Sequence, residues 1–356
     1  MRRFWIVICS VLLISCGDGD KITGPDWDSL PSKPDDTQTP DDSGYQNGED
    51  NQEKPAIVEQ IIAPTIEVAA ADSDIAGLRY EPGISINIAT KNFATRLSEI
   101  ASAGFKYIEI TIKHSYGLKD KSDSQVTAIL REKQQQVDAA GLTLWSIHLP
   151  FEDATWTNIA GNESVRVQSV DNIMRVLRLC TANFPTCKNY VLHASKGVLS
   201  SRSESVLQAR KSLEYMLPEA KRLGVRICIE NLVGSLCPTI EEMSDTITGF
   251  EDAWVTFDIG HANCVGVNVI DFLKWIGPGL GTVHIHDTAF GSRVDDHRDI
   301  GDGDIDKYFG WENVYYTMLK DCRYRGVFLF ELSGSNANSV MSSYKMIVEK
   351  YKTKYE

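Results

Sequence analysis

Segments with strand character and segments with helical character alternate without interruption from Gly83 to the end of this 356-residue chain. Eight apolar runs are typical of strands: 83–87, 106–112, 143–149 and 189–193, then VRICIE, WVTFDIG, GTVHIHD and VFLFEL. A segment whose apolar residues recur at helical spacing follows each run. Such alternation predicts parallel strands, and eight strand–helix pairs predict one α/β domain, a closed (β/α)8 TIM barrel. An open doubly wound sheet is disfavoured because no glycine-rich phosphate loop follows the first run.

Imidazole and carboxylate side chains stand at or just past the ends of six successive runs. In chain order they are His148, His193, Glu230, Asp258, His261, His284, His286, Asp295, His297 and Glu331. Because the carboxyl ends of barrel strands share one face, these residues are expected to form a single polar site. Imidazole and carboxylate together are ligands for Zn, Mn or Fe, so a metal site is a hypothesis from the residues alone.

The first 75 residues lack this alternation. Arg2 and Arg3 precede an apolar stretch too short for a stable membrane span. The segment ends in LISC, which resembles the lipobox of bacterial lipoproteins and implies cleavage before Cys16 and its acylation; an ordinary signal peptide is the alternative. Residues 17–75 are acidic and poor in apolar residues, and we expect a disordered tether there. The expected domains are a signal peptide at 1–16, the tether at 17–75 and the barrel at 76–356, lipid-anchored in the cell envelope at the outer membrane or cell surface.

The charge of the chain argues against a polyanionic partner. Residues 17–54 hold eleven Asp or Glu against three Lys, and the chain from Pro55 onward still carries −7 of the total −13. A body without an excess of Lys and Arg cannot replace the counterions of a nucleic acid. We therefore expect no nucleic-acid partner.

Motifs on at least six of the strands carry a resemblance to a known family. They are IHLPF, LHASKG, CIENLVG, FDIGHAN, VHIHD, DDHRDIGDGDID and FLFEL. In this order they resemble the xylose isomerase-like barrel superfamily, which includes sugar-phosphate isomerases, ketose epimerases, inosose dehydratases and the endonuclease IV repair enzymes. The resemblance extends from Gly83 to the last helix.

The resemblance implies a divalent metal, Mn, Zn, Co or Mg, and leaves open whether one or three ions are bound. In the epimerase branch one ion is held by residues that match Glu230, Asp258, His284 and Glu331. In the endonuclease IV branch further ligands match His148, His193, His261, Asp295 and His297. All nine positions carry a compatible side chain.

The chemistry expected of this residue set is removal of a proton next to a carbonyl. That step needs a Lewis acid for the enediolate and a carboxylate base near the C–H group. The resemblance implies Glu230 and Glu331 as the catalytic pair, and hence an isomerase or epimerase acting on a free, non-phosphorylated sugar, keto-sugar or cyclitol. Substrate contacts are expected from five polar residues and two residues of an apolar wall: His148, His193, His261, Arg293, His297, Phe151 and Trp156.

Two other activities remain as alternatives. The full nine-residue set also fits an endonuclease IV-like phosphodiesterase, although export and the anionic body count against it. A keto-sugar lyase or dehydratase starts with the same proton abstraction, so the same site can serve it.

Some positions are left open by the sequence. His286 shares a strand face with His284 by the two-residue period and could be the ligand in its place. Glu109 could reach the substrate or pair with a lysine. Lys196 and Arg293 could meet a substrate anion or neutralise the acidic rim. The acidic residues of GDGDID are interpreted as turn residues and a helix cap rather than ligands: Asp302, Asp304 and Asp306.

Overall fold

The computed structural model describes residues 75–356, except 76, 114–117, 152, 196, 198, 200 and 333. The predicted signal peptide, Cys16 and all of the tether but Ile75 lie outside the described residues, as does Lys196. No helix in the described part of the chain is both long enough and apolar enough to cross a membrane.

Eight parallel strands form one sheet in which each strand pairs with its neighbours in sequence, and β1 also pairs with β8. Ile285, just past β7, closes the ring: its N–H donates to Leu329 O at 2.8 Å, and its carbonyl accepts from Glu331 N at 3.1 Å. The predicted TIM barrel is confirmed. The strands are β1 (Glu81–Asn87), β2 (Tyr107–Thr111), β3 (Thr143–His148), β4 (Asn189–Leu192), β5 (Arg226–Glu230), β6 (Ala253–Asp258), β7 (Leu280–His284) and β8 (Val327–Phe330).

Ten α-helices follow the strands in the described residues, one after each of six strands and two after each of β6 and β7. They are α1 (Phe93–Ser102), α2 (Asp123–Ala139), α3 (Glu163–Asn183), α4 (Arg202–Arg222), α5 (Ile240–Ile247), α6 (Ile259–Val265), α7 (Val269–Ile276), α8 (Ile305–Tyr308), α9 (Trp311–Lys320) and α10 (Ala337–Tyr355). Side-chain caps set several starts; in α2 a reciprocal capping box joins Ser122 and Gln125. The eight predicted helices are present, and α6 and α8 are additional short ones.

The additional helix α6 begins directly where β6 ends. The Asp258 carboxylate accepts the backbone N–H of His261 at 2.7 Å, so the last strand residue is also the N-cap of the helix. This turn brings His261 back over the barrel mouth. The sequence pattern assigned WVTFDIG to a strand and predicted no separate helix over Ile259–Val265, because a seven-residue helix is too short to show a clear helical period.

The strands are buried on both faces, as is usual for a parallel barrel. Their outward apolar side chains pack against the helices, and polar side chains occupy much of the interior. At the C-terminal ends of the strands this interior holds imidazoles and carboxylates that are almost fully buried, including Glu230, Asp258 and His284, and Glu109 lies below them in the middle of β2. The closed sheet therefore gathers strand ends that are distant in sequence into one site.

Candidate metal centre

The central group of the site consists of Glu230, Asp258, His284 and Glu331, at or next to the ends of β5, β6, β7 and β8. Nδ1 of His284 lies 3.0 Å from Glu230 Oε1, 3.0 Å from Glu331 Oε2 and 3.7 Å from Asp258 Oδ2. One imidazole nitrogen can donate a single proton, so it cannot satisfy three carboxylates. A divalent cation between these atoms would, and the donor set fits Mn, Zn, Co or Mg.

A second group shares Glu230 with the first. His148 Nε2 and His193 Nε2 lie 3.1 Å apart, and both contact Glu230 Oε2, at 3.2 and 3.0 Å. Two imidazole nitrogens and one carboxylate oxygen that face a common point are typical of a metal site. The ends of β3, β4 and β5 thus supply a second candidate ligand set.

A third group lies on α6 and on the loop between β7 and α8. Asp295 Oδ2 lies 3.0 Å from His261 Nε2 and 3.2 Å from His297 Nε2. His286 is near the same group, with Nε2 4.0 Å from Asp295 Oδ1. All nine residues that the sequence suggested as ligands therefore fall into three adjoining groups.

His284, rather than His286, faces the central carboxylates. His286 Nε2 instead contacts the Asp258 carboxylate at 2.9 Å, and its ring stacks on His297 with centroids 4.0 Å apart and 13° between planes. Gly260 makes room for this ring, since a Cβ there would come within 2.1 Å of His286 Cε1. His286 thus supports Asp258 from behind the central group.

Three outer histidines are oriented by backbone carbonyls. Their Nδ1 atoms lie 2.9–3.1 Å from carbonyl oxygens: His148 to Leu149, His261 to Asn231, and His297 to Glu331. A carbonyl can only accept, so Nδ1 carries the proton and Nε2 points into the site. Metal-ligating histidines are commonly fixed in this way.

Asn231 is a site residue that the sequence analysis missed. Its Oδ1 accepts the N–H of Asp258 at 2.7 Å, and its Nδ2 donates to the Asp258 carbonyl at 2.8 Å. It follows Glu230 directly, and its fully buried side-chain amide joins the ends of β5 and β6. Its backbone carbonyl orients His261. Its position in the motif IENL was the available signal.

Glu109 has neither of the expected roles. It does not line the cavity described below, and its partners among the described residues are Ser146 and His284 rather than a lysine. The Ser146 hydroxyl donates to Glu109 Oε2 at 2.7 Å, and His284 Nε2 lies 3.2 Å from Glu109 Oε1. Glutamate forms salt bridges with lysine mainly at the protein surface, whereas the side chain of Glu109 is buried inside the barrel.

The imidazoles and carboxylates hold each other in charged forms. Burial lowers the pKa of His284, but the carboxylates of Glu331, Glu109 and Glu230 outweigh it and raise that pKa well above its ordinary value. The same opposition raises the pKa of His297 to about 10, chiefly through Asp295. For His193 burial dominates and lowers the pKa.

The carboxyl groups shift the other way. Burial raises the pKa of Glu230 and of Glu331, but the His284 imidazolium outweighs it, and both pKa values lie below the usual range. The hydrogen bonds from His261 and His297 likewise lower the pKa of Asp295. In the absence of a metal, protons on histidines thus supply the positive charge that this carboxylate cluster needs.

A cavity of about 820 Å³ opens above the groups. Of the central group, only Glu230 and Glu331 line it; Asp258 and His284 lie behind them. The predicted substrate contacts that line it are His148, Phe151, His193, His261, Arg293 and His297. Sequence reasoning missed several neutral polar residues of the wall: Ser85, Asn87, Thr111, Ser195, Ser235 and Ser335.

Trp156 is buried and does not form an apolar wall of the site with Phe151, so that prediction is wrong. Its side chain is 3% exposed, belongs to the hydrophobic core and does not line the cavity. The backbone turns at Asp153, whose carboxylate accepts the N–H of Trp156 at 3.0 Å. Phe151 alone reaches the site, with its ring 4.4 Å from that of His148.

The loop that carries Arg293, Asp295 and His297 is held by Asp287. This buried carboxylate accepts the backbone N–H groups of Thr288, Gly301 and Ile305 at 3.0–3.2 Å. None of the acidic residues of GDGDID belongs to the three candidate ligand groups. Asp304 stands at the N-cap position of α8, although its side chain makes no capping hydrogen bond there, and Asp306 pairs with Lys350.

The fold and the site together define a class: a TIM barrel with imidazole–carboxylate groups at the C-terminal ends of its strands. The family model described as xylose isomerase-like TIM barrel matches residues 97–349. The chain belongs to this family.

Known proteins with similar sequences are distant relatives. An uncharacterized protein of Methanocaldococcus jannaschii is 23% identical over 251 residues, which is 65% of this chain and 81% of that protein. A probable endonuclease 4 of Acholeplasma laidlawii is 29% identical over 152 residues, 37% of this chain and 50% of that protein.

Solved structures with the same fold include sugar epimerases. A D-tagatose 3-epimerase-like protein superposes with a TM-score of 0.62 at 23% identity, covering 77% of this chain and 99% of that one. D-psicose 3-epimerase in the presence of D-fructose gives a TM-score of 0.57 at 17% identity, over 77% and 98% of the two chains. At these identities the likeness establishes the fold.

Proposed function

We propose that the protein is a metal-dependent sugar isomerase or epimerase that removes a proton next to a carbonyl. One observation carries the proposal: of the four central residues, the two glutamates line the cavity while Asp258 and His284 lie behind them. Glu230 and Glu331 come from different strands, β5 and β8, so they can approach a substrate from two directions.

The two glutamates are suited to move a proton. In the metal-free protein their lowered pKa values keep both as carboxylates, the form that can accept a proton, and a bound divalent ion would favour the same form. If one glutamate removes the proton and the other returns it from the opposite face, the carbon is inverted; return to the neighbouring carbon gives isomerisation. A divalent ion held by the central group would supply Lewis-acid stabilisation of the negative charge on the substrate oxygens.

The cavity wall favours a free sugar over a phosphorylated one. Six hydroxyl or amide side chains line it, and His261, Arg293 and the other histidines are placed to hold substrate hydroxyls. Lys113 and Arg293 are the only lysine or arginine among its described lining residues. A volume of about 820 Å³ is in the range of small-molecule sites. A keto-sugar lyase or dehydratase would use the same first step.

A phosphodiesterase is the second candidate. The three adjoining groups, two of which share Glu230, favour it, since several ions can clamp both oxygens of a phosphodiester displacement, and a probable endonuclease 4 is among the relatives. The net charge of −7 from Pro55 onward opposes it, because binding a DNA duplex depends on cationic residues.

The experiment that separates the two is a parallel assay of the metal-loaded protein on a panel of free ketoses and on a duplex with one abasic site. Turnover of a ketose, with no strand cleavage and with loss of activity in Glu331→Gln, supports the proposal. Strand cleavage without turnover of any ketose would replace it with the second candidate.

The cellular location is proposed from the sequence alone. We propose that the chain is exported and attached to the membrane through lipidated Cys16, which suits a substrate released by glycan breakdown at the envelope. Metabolic labelling with a fatty acid tests this: wild-type protein should be labelled and Cys16→Ala should not. Unlabelled wild-type protein in the cytoplasm would contradict it.

A further inference from the structure

Glu109 is a fully buried carboxylate on β2, directly behind the central group. Its Oε2 accepts the Ser146 hydroxyl at 2.7 Å, and both its oxygens lie 3.2–3.3 Å from Nε2 of His284. No other ion pair of Glu109 occurs among the described residues. Burying a carboxylate away from water costs free energy unless it is paired, and the contacts with His284 and Ser146 offset that cost for Glu109.

The two nitrogens of His284 face opposite ways. Nε2 points at Glu109, while Nδ1 points at Glu230, Glu331 and Asp258. In three other histidines of the site, Nδ1 donates to a neutral backbone carbonyl instead: His148, His261 and His297. His284 therefore differs from the other described histidines of the three groups. Its nitrogen that points away from the central group contacts Glu109, a carboxylate that belongs to none of the groups.

A carboxylate at Nε2 has a defined consequence for Nδ1. It accepts the Nε2 proton, which leaves the lone pair of Nδ1 directed at the central carboxylates, and its negative charge makes that nitrogen more basic. It also adds a fourth carboxylate to the surroundings of one ion, and because Glu109 is fully buried, water screens its attraction for a dication only weakly.

We propose that Glu109 is a positioning residue that fixes His284 with Nδ1 as the metal ligand and strengthens metal binding at the central group. The inference rests on the metal site of the proposed function. It adds to that proposal a residue on β2, a strand that contributes no ligand to the three groups.

The test is the metal affinity of Glu109→Gln, which keeps the size of the side chain and removes its charge. Chelator competition with Mn²⁺ or Zn²⁺ should show about 10- to 100-fold weaker binding of the central ion. The absorption spectrum of the Co²⁺-loaded protein should shift as well, because the ligand field of His284 changes. Glu99→Gln is the matched control, since Glu99 is an exposed glutamate on α1 and its loss should leave affinity and spectrum unchanged.

The outcomes distinguish the role of Glu109 from the existence of the metal site. Wild-type protein that binds no ion contradicts both the metal site and the role of Glu109. Wild-type protein that binds an ion, together with Glu109→Gln of equal affinity and unchanged Co²⁺ spectrum, overturns the role of Glu109 alone. If Glu109→Gln does not fold, Ser146→Ala takes its place: a several-fold loss of affinity supports the role, and unchanged affinity overturns it.

Discussion

The imidazole of His286 occupies the space where a Cβ on residue 260 would lie, so Gly260 and His286 are matched to each other. The contact lies beside the central group, because His286 Nε2 holds the Asp258 carboxylate at 2.9 Å. The glycine of FDIGH thus allows close packing behind the candidate metal centre.

Gly260→Ala should displace the His286 ring and release Asp258. Overpacking of this kind costs about 1–3 kcal/mol of unfolding free energy, and the bound metal should be lost more readily to a chelator. Denaturant unfolding and chelator competition measure the two effects. Gly334→Ala is the control, because apart from its chain neighbours no atom of the described residues lies within 4 Å of the position that its Cβ would take. Equal behaviour of the two variants would contradict the matching of Gly260 to His286.

Asp287→Asn should loosen the loop that carries the third group. The amide loses the charge that three backbone N–H groups share, at a cost of about 1–3 kcal/mol. Metal at His261, Asp295 and His297 should be lost before metal at the central group, as measured by metal content during stepwise chelation. Asp302→Asn, in the same loop and exposed, is the control. Simultaneous loss from all groups would argue against a local role.

Metal stoichiometry should depend on which group is damaged. Glu230 belongs to two groups and Asp295 to one, so Glu230→Gln should remove the central ion and any ion on His148 and His193. Asp295→Asn should leave the central ion in place. Elemental analysis of the purified variants checks this; a central ion retained by Glu230→Gln would be inconsistent with the assigned ligands.

The metal-free protein should lose stability in alkaline solution. The folded-state pKa of His297 is raised to about 10, chiefly by Asp295 against the opposing effect of burial, while the unfolded value is about 6.5. Its stabilisation is therefore complete below a pH of about 6.5 and lost as pH rises through about 10. Melting temperatures across this pH range should fall more steeply for metal-free wild-type protein than for His297→Asn; parallel curves would contradict this.

The sequence predicted the barrel, and it placed the candidate ligands at strand ends, because strand periodicity and strand ends are local features. Glu230, Asp258 and Glu331 each close or directly follow an apolar run, and parallel pairing then brings them together. Contacts between residues of different strands and loops could not be predicted from the sequence. The two-residue period puts His284 and His286 on one face, and only the packing of Gly260 distinguishes them. The partnership of Glu109 with His284 joins β2 to β7, and the burial of Trp156 depends on how a loop folds at Asp153.

The central claim is proton abstraction by Glu230 and Glu331, and exchange with solvent deuterium tests it most directly. Metal-loaded protein incubated in D₂O with free ketoses and keto-sugars should place deuterium on the carbon next to the carbonyl of its substrate. Glu230→Gln and Glu331→Gln should lose this exchange, and so should wild-type protein treated with a chelator. Absence of exchange with every ketose tested, alongside cleavage of an abasic duplex by the same preparation, would contradict the claim.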